Sequence, residues 1–329
     1  MQHLGLVAIG RNEGQRLHQC LKSAIGKVPY IVYVDSGSTD TSVEFARSIH
    51  VEVVELDLSI PFTAARARNA GFARLMELDP DLQYVQFVDG DCEVVEGWLE
   101  LAYQTLNDQF SLAVVCGRRR ERFPEQSIYN LLCDIEWDTP IGEAKACGGD
   151  AMMRVRAFQE AGGFNPVLIA GEEPELCVRL RQHGWKIWRL DAEMTRHDAQ
   201  MTRFNQWWKR SLRAGHAYAE GAWLHGRGAD RHWVKESKSI WIWGLLIPIV
   251  AIGAILPTKG ISLILLGAYP VLMYRIYQYM HKSGLPLRDG ILYAFFCVLG
   301  KFPQVQGQLQ FHTNRVLKRQ RTLVEYKIS

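Results

Sequence analysis

The chain has 329 residues, 48% of them apolar and 22% charged, which suffices for a packed core and about two domains at roughly 100–200 residues each. That composition excludes a disordered or collagen-like chain. A net charge of +3, from 38 Lys+Arg against 35 Asp+Glu, makes no case for nucleic acid as a partner.

The first residues, Met1-Gln2-His3-Leu4-Gly5-Leu6-Val7, lack the basic stretch that opens a secretory signal. They run straight into a strand pattern over 4–9, so the N-terminal part is expected to face the cytoplasm. Leu17, Leu21 and Ala24 then share one helical face. A strand over 30–34 ends in the turn-rich Asp35-Ser36-Gly37-Ser38-Thr39-Asp40, and a helix with Val43, Ala46 and Ile49 precedes a strand over 51–56. Residues 64–78 predict a third helix and 84–88 a fourth strand; a helix from Trp98 leads to a strand over 112–116. Such alternation with near-continuous apolar strands predicts an α/β fold with a parallel sheet covered on both faces. Ligands then sit outside the carboxyl ends of the strands. Seven cysteines without a CxxC pair, Cys20, Cys92, Cys116, Cys133, Cys147, Cys177 and Cys297, read as small buried hydrophobes in a reducing compartment.

From 124 to 196 the pattern is less regular, with Cys147-Gly148-Gly149-Asp150, a helix over 174–183 and a strand over 186–190. The sequence from about Ile240 is far more apolar. Residues 240–256 contain no charge, Lys259 interrupts, and 261–274 are uncharged again before Arg275. Each stretch approaches the ~20 residues that cross a bilayer. Trp241, Trp243, Tyr269, Tyr274, Tyr277 and Tyr279 would anchor the interfaces. Lys235, Lys238, Arg275, Lys282 and Arg288 flank the outer ends, so both are expected on the cytoplasmic side; a buried hairpin of a soluble domain is the alternative. The shorter apolar stretch 291–300, with Lys301, Arg315, Lys318, Arg319 and Arg321, suits an interfacial helix and basic tail or an ordinary solvated amphipathic one.

Asp89-Gly90-Asp91 closes the fourth strand. Residues two apart in extended backbone point the same way, so both carboxylates can meet one ligand, with Gly90 letting the backbone approach. Paired carboxylates are the hard ligands that Mg²⁺ or Mn²⁺ prefers, although such a turn is also common as a solvated one. Asp35, directly after the second strand, can accept from a base or ribose, while Ser38, Thr39 and Asp40 can cap a helix. Arg66, Arg68 and Asn69 at the third helix suit phosphate oxygens or simple solvation. Gly10-Arg11-Asn12-Glu13-Gly14 has the wrong spacing for a dinucleotide fingerprint, which argues against a dehydrogenase.

Together these residues resemble the family 2 glycosyltransferases. The matching pieces are Ala8-Ile9-Gly10-Arg11-Asn12-Glu13, Asp35-Ser36-Gly37-Ser38-Thr39-Asp40, Ala67-Arg68-Asn69-Ala70-Gly71 and Asp89-Gly90-Asp91. Gly148-Gly149-Asp150-Ala151-Met152, Gly162-Gly163-Phe164 and Gly171-Glu172-Glu173-Pro174-Glu175-Leu176 follow in order over residues 1–200. The resemblance implies a GT-A fold, Rossmann-like with a mostly parallel sheet, over 1–235. A transmembrane hairpin over 236–282 and an interfacial helix with a basic tail over 283–329 would follow. It implies a metal-dependent, inverting transferase using a nucleotide sugar, a UDP-sugar first of all. Ile9, Arg11, Glu13, Asp35 and Ser38 would bind the donor, with Asp35 reading the base. Arg68, Asn69, Asp89, Gly90 and Asp150 would join them, Asp150 near the sugar.

In the resemblance Asp91 would hold Mn²⁺ or Mg²⁺, Asp89 would touch ribose or metal, and His197 would add a ligand; a lone His is otherwise structural. Glu172-Glu173 stands where the family has Glu-Asp. The match selects Glu173 over Glu172 as base, in a helix opened by Glu173 with Pro174 at its first position; an acidic first turn that merely complements the helix dipole is the plain alternative. Gln206-Trp207-Trp208-Lys209-Arg210 departs from the Gln-x-x-Arg-Trp of processive members, which points to single addition. Arg118-Arg119-Arg120-Glu121-Arg122 is either a solvated face or a surface for an acidic acceptor. The expected role is transfer to a lipid-linked glycan in exopolysaccharide or surface-glycan assembly, at the inner (cytoplasmic) membrane with the catalytic domain in the cytoplasm. A polyprenyl-phosphate sugar transferase and a non-catalytic nucleotide-sugar or glycan-binding module are the rivals.

Overall fold

The computed structural model describes residues 1–318 and divides the chain into two units, Met1–Thr202 and Arg203–Ser329. Arg319 and Arg321 of the basic tail lie outside the described residues.

The first unit is one mixed sheet with helices packed on it. Its strands are β1 (Leu4–Gly10), β2 (Tyr30–Asp35), β3 (Glu52–Glu55), β4 (Tyr84–Asp89), β5 (Cys92–Val94), β6 (Leu112–Glu121), β7 (Gly142–Glu143), β8 (Ala151–Arg154) and β9 (Lys186–His197). Their order is β3-β2-β1-β4-β8-β6-β9-β5, with β7 beside β9. β1 runs parallel to β2 and β4, β2 to β3, and β6 to β9. β8 is antiparallel to both β4 and β6, and β9 is antiparallel to β5 and β7. The sheet is therefore mixed, with its longer ladders parallel. The reason lies in the irregular stretch ahead of β8: no crossover helix precedes it immediately, so the chain can enter between β4 and β6 in the opposite direction.

The helices are α1 (Gln15–Ala24), α2 (Ser42–Ser48), α3 (Ala64–Leu78), α4 (Trp98–Asp108), α5 (Ile128–Glu136), α6 (Val155–Glu160) and α7 (Glu172–Gln182). Leu17, Leu21 and Ala24 of α1 are buried as their spacing requires. α3 lies close on β1 and β2 because Gly71 has no side chain; a Cβ there would overlap Val7 and Val34. β6 and β9 run well past the apolar stretches that marked them. Bulges between Cys116 and Arg118, and between Arg118 and Arg119, carry β6 on through its arginines beside β9. Such bulges re-aim side chains at the end of a strand.

The second unit is helical: α8 (Phe204–His225), α9 (Val234–Trp241), α10 (Ile247–Gly253), α11 (Ala268–Lys282), α12 (Leu287–Leu299) and α13 (Lys301–Val316). A π turn over Ile242–Leu246 joins α9 to α10, and a 3₁₀ turn over Ile261–Gly267 leads into α11. Pro248 cannot donate to the carbonyl of Gly244, and the widened turn sits there. Two continuous apolar runs result, Val234–Gly253 and Ile261–Lys282, each long and apolar enough to cross a membrane. Both are offset from the uncharged stretches because helices do not stop at Lys235, Lys238 or Arg275. Only 17% and 6% of their apolar windows are buried, although a buried soluble hairpin would hide them. Ser262 Oγ donates to the Ala251 carbonyl at 2.7 Å and ties the two runs into a hairpin.

α8 packs against α13 at glycines: a Cβ on Gly215 would overlap the Gln304 backbone, and one on Gly307 the Leu212 backbone. That close crossing places 203–235 with the helical unit instead of the catalytic one. α12 buries Gly290, Ala294 and Phe296 while Ile291 and Phe295 stay exposed, so it is half-buried along one face.

Candidate active site

The sheet gathers the site at the carboxyl ends of β1, β2, β4, β6 and β9. Asp91 lies in the turn between β4 and β5, and His197 ends β9. Pairing of β5 with β9 sets Cys92 opposite His197. His197 Nε2 thereby lies 3.1 Å from Asp91 Oδ2, both side chains being buried. Two neighbouring ligands ~2.1 Å from an octahedral Mg²⁺-like cation are ~3 Å apart, so this pair has the spacing of adjacent vertices. On the other side of the ring, Glu121 Oε2 lies 3.3 Å from Nδ1, and Trp137 packs edge-on with centroids 4.8 Å apart. A carboxylate behind a ligating imidazole fixes its tautomer and orientation. Asp91 and His197 thus fit a divalent cation.

Asp89 stands apart from that pair. Arg68 donates to its Oδ1 at 2.7 Å and Arg119 to its Oδ2 at 3.1 Å. Its backbone N–H donates to Asp150 Oδ1 at 2.9 Å. Asp150 is fully buried; its Oδ2 pairs with Arg119 at 2.8 Å and accepts from Thr195 at 2.6 Å. The other arm of Arg68 reaches Glu172 Oε1 at 2.7 Å. Burial works against the charge on both guanidinium groups, but the carboxylates around them outweigh it and hold both above the usual arginine range. Three carboxylates and two arginines are thereby locked together at the strand ends.

Glu173 has a different setting. Cys147 N–H donates to its Oε1 at 2.5 Å and the Cys177 thiol to the same oxygen at 3.1 Å. Its Oε2 takes no hydrogen bond among the described residues. α7 begins at Glu172, with Gly171 as N-cap at φ 78°, two residues before the expected start. Pro174 therefore sits at the third helical position instead of the first. That costs little, since the N–H groups of a helix's first turn have no internal partner.

Several donor-binding candidates are held in hydrogen-bond networks of the first unit. Asp35 accepts from Tyr33 O–H at 2.8 Å, Gly37 N–H at 2.9 Å, Ser38 N–H at 2.7 Å and Ser38 O–H at 2.5 Å, which fills its four lone-pair sites. Ser38 Oγ also accepts from Asn12 N–H at 2.8 Å, so the loops after β1 and β2 are laced together. Asn69 donates to the Phe164 carbonyl at 2.7 Å and accepts from Phe164 N–H at 3.0 Å. Arg11 donates to the Gly37 carbonyl at 3.3 Å and lies over Phe62, and Glu13 pairs with Arg16 at 2.7 Å. Gly90 N–H donates to the Ile9 carbonyl at 2.7 Å; a Cβ on Gly90 would press on that same oxygen.

Arg119 and Glu121, read only within the run Arg118–Arg122 as a solvated face or a surface for an acidic acceptor, enter the site, and so does Thr195, which was not singled out. The signal for the first two was there: Arg119 and Glu121 are two apart at a strand end, and alternation turns them inward while Arg118 and Arg120 pair with Asp134. Thr195 had no such signal.

This mixed sheet, with acidic turns and a candidate metal pair at its strand ends, is the GT-A arrangement of glycosyltransferases. The profile described as "Glycosyl transferase family 2" matches residues 7–160, within the catalytic unit. The chain is accordingly a nucleotide-sugar-dependent glycosyltransferase. No curated protein matches it in sequence. In fold it is similar to a mannosyltransferase from Pyrobaculum calidifontis solved with GDP-Man and Mn²⁺, at 13% identity and TM-score 0.61, covering 95% of this chain and 88% of that one. It is also similar to residues 1–349 of S. aureus TarS, at 14% identity and TM-score 0.50, covering 97% and 92%.

Proposed function

We propose that the enzyme is a metal-dependent, inverting, single-addition glycosyltransferase that moves a sugar onto a hydroxyl of a lipid-linked glycan at the inner membrane. The observation that carries this reading is the Asp91–His197 pair with Glu121 behind it. A UDP-sugar is the first donor to test. GDP-Man is the second, because a relative in fold holds it with Mn²⁺.

Mn²⁺ or Mg²⁺ held by Asp91 and His197 would supply positive charge to the departing nucleoside diphosphate. Glu173 acts as base through Oε2, its other oxygen being fixed by Cys147 and Cys177. Glu172 is less suited, because taking a proton would leave buried Arg68 short of a counter-charge. Asp150 and Arg119 position Asp89 for the donor.

The helical hairpin supports membrane attachment. Leu246, Ile249, Ile252, Leu256, Ile261 and Ile264 are all exposed. A patch of that size on a soluble monomer is an interaction or aggregation surface. A membrane location supports a lipid-linked acceptor, and the family resemblance supports a place in exopolysaccharide or surface-glycan assembly.

Thermal-shift screening of nucleotide sugars with Mn²⁺ tests the donor, since binding stabilises the folded state by mass action. Product analysis tests the acceptor. A glycan extended by one sugar supports this reading, and a sugar phosphodiester transfers it to the polyprenyl-phosphate rival. Asp91→Asn in a chain that still melts cooperatively should lose Mn²⁺-dependent transfer; full activity there, or in excess chelator, removes the metal step.

A further inference from the structure

Against the proposed base lie two thiols that the transfer reaction does not use as ligands or proton carriers. Cys147 Sγ and Cys177 Sγ are 3.7 Å apart, and Glu173 Oε1 is 3.1 Å from Cys177 Sγ. All three residues are buried, and their ligand atoms lie within 4.8 Å of one another. The two cysteines come from different places, Cys147 from the loop ahead of β8 and Cys177 from the second turn of α7. Glu173 and Cys177 are four apart on that helix, so their side chains share one face.

The distances are those of a tetrahedral thiolate site. With metal–sulfur bonds of ~2.3 Å, two sulfurs at tetrahedral angles stand ~3.8 Å apart; sulfur and a carboxylate oxygen at ~2.0 Å stand ~3.5 Å apart. The first separation is already present, and the second needs only a few tenths of an ångström. Two sulfurs and one oxygen form a donor set that selects a thiophilic cation over Mg²⁺ or Mn²⁺.

We propose that Cys147, Cys177 and Glu173 form a binding site for a thiophilic divalent cation of the Zn²⁺ class, which switches the transferase off. On binding, the cation displaces one proton from each thiol and takes Glu173 Oε1 as its third ligand. With its charge drawn onto the cation, Glu173 no longer accepts the acceptor's proton. Three protein ligands leave a fourth position open to water, unlike the four protein ligands of structural zinc sites. The inhibition rests on Glu173 being the base; the cation site itself does not.

Cd²⁺ is a suitable probe, because its thiolate complexes give an ultraviolet charge-transfer band that carboxylate and imidazole ligands do not. The full chain in detergent, fully reduced, is titrated with Cd²⁺. The expected result is a band saturating at one equivalent, lost in Cys147→Ser and Cys177→Ser and retained in Asp91→Asn. Glu173→Gln should keep a band with affinity lowered by at least ~10-fold. Absence of a band, or a band that survives both serine variants, overturns the site. So does disappearance of two titratable thiols without bound metal, which would mean a disulfide instead. Melting curves establish that the serine variants fold; if either does not, the Glu173→Gln affinity change decides alone. If the band forms but Glu173→Gln transfers sugar normally, the site stands and the base assignment fails.

Discussion

Glu121 Oε2 lies 3.3 Å from His197 Nδ1, on the side of the imidazole away from Asp91. Glu121 is buried and also accepts from Ala199 N–H at 3.2 Å, so its position is set by the loop after β9 as well as by the ring. The imidazole thus cannot turn without breaking a buried carboxylate's contacts, and its Nε2 stays aimed at Asp91. Here a residue of a polar strand end, two positions beyond Arg119, holds the imidazole of the proposed metal pair in place.

Glu121→Gln should therefore weaken Mn²⁺ affinity by ~10–100-fold while leaving the melting temperature close to that of the parent. Activity titrated against Mn²⁺ should recover at high metal. A loss of activity that no Mn²⁺ concentration restores would make Glu121 purely structural.

Glu173→Gln keeps the acceptor for Cys147 N–H but cannot take a proton. Turnover should fall ~10²–10⁴-fold with donor binding preserved. Glu172→Gln should instead loosen Arg68 and Asp89 and weaken donor binding more than turnover. The reverse split, with Glu172→Gln dead and Glu173→Gln unharmed, would assign the base to Glu172.

If the runs Val234–Gly253 and Ile261–Lys282 cross a bilayer, the full chain should resist extraction by salt or alkali and need detergent. Cysteine placed at Lys259, in the turn between them, should label only from the side opposite the catalytic unit. Labelling from the same side would leave the hairpin lying on the membrane or packed in a soluble assembly.

Burial raises the thiols of Cys20, Cys92 and Cys147 well above their ordinary value of 9.0. Below that value they are protonated folded or unfolded, and their contribution is intact. As pH rises through it, only the unfolded chain gives up these protons, so unfolding is favoured. Melting temperature should fall steadily above about pH 9, each thiol adding at most ~1.4 kcal/mol per pH unit. Flat melting temperatures across that range, or thiols that react with alkylating reagents before unfolding, would show that they are not held protonated.

The strands β1, β2 and β4, the helix α3 and the acidic turn Asp89-Gly90-Asp91 were legible in the amino-acid sequence because their signals are local. A short apolar run, a 3.6-residue period or a glycine between two carboxylates needs no distant partner to be read. Two long apolar runs near the carboxyl end were legible for the same reason, as was the acidic start of α7. What tertiary structure alone decided was which carboxylate meets which partner. Asp89 and Asp91 stand two residues apart with the same chemistry, yet Asp89 binds Arg68 and Arg119 while Asp91 faces His197. Glu172 and Glu173 are adjacent, yet one neutralises Arg68 and the other rests on a backbone N–H and a thiol. These choices depend on the antiparallel entry of β8, the bulges in β6 and the β5–β9 register, all made between segments 60 or more residues apart. Pairings over such separations are selected by the whole sheet's burial and hydrogen bonding, and no local pattern encodes them.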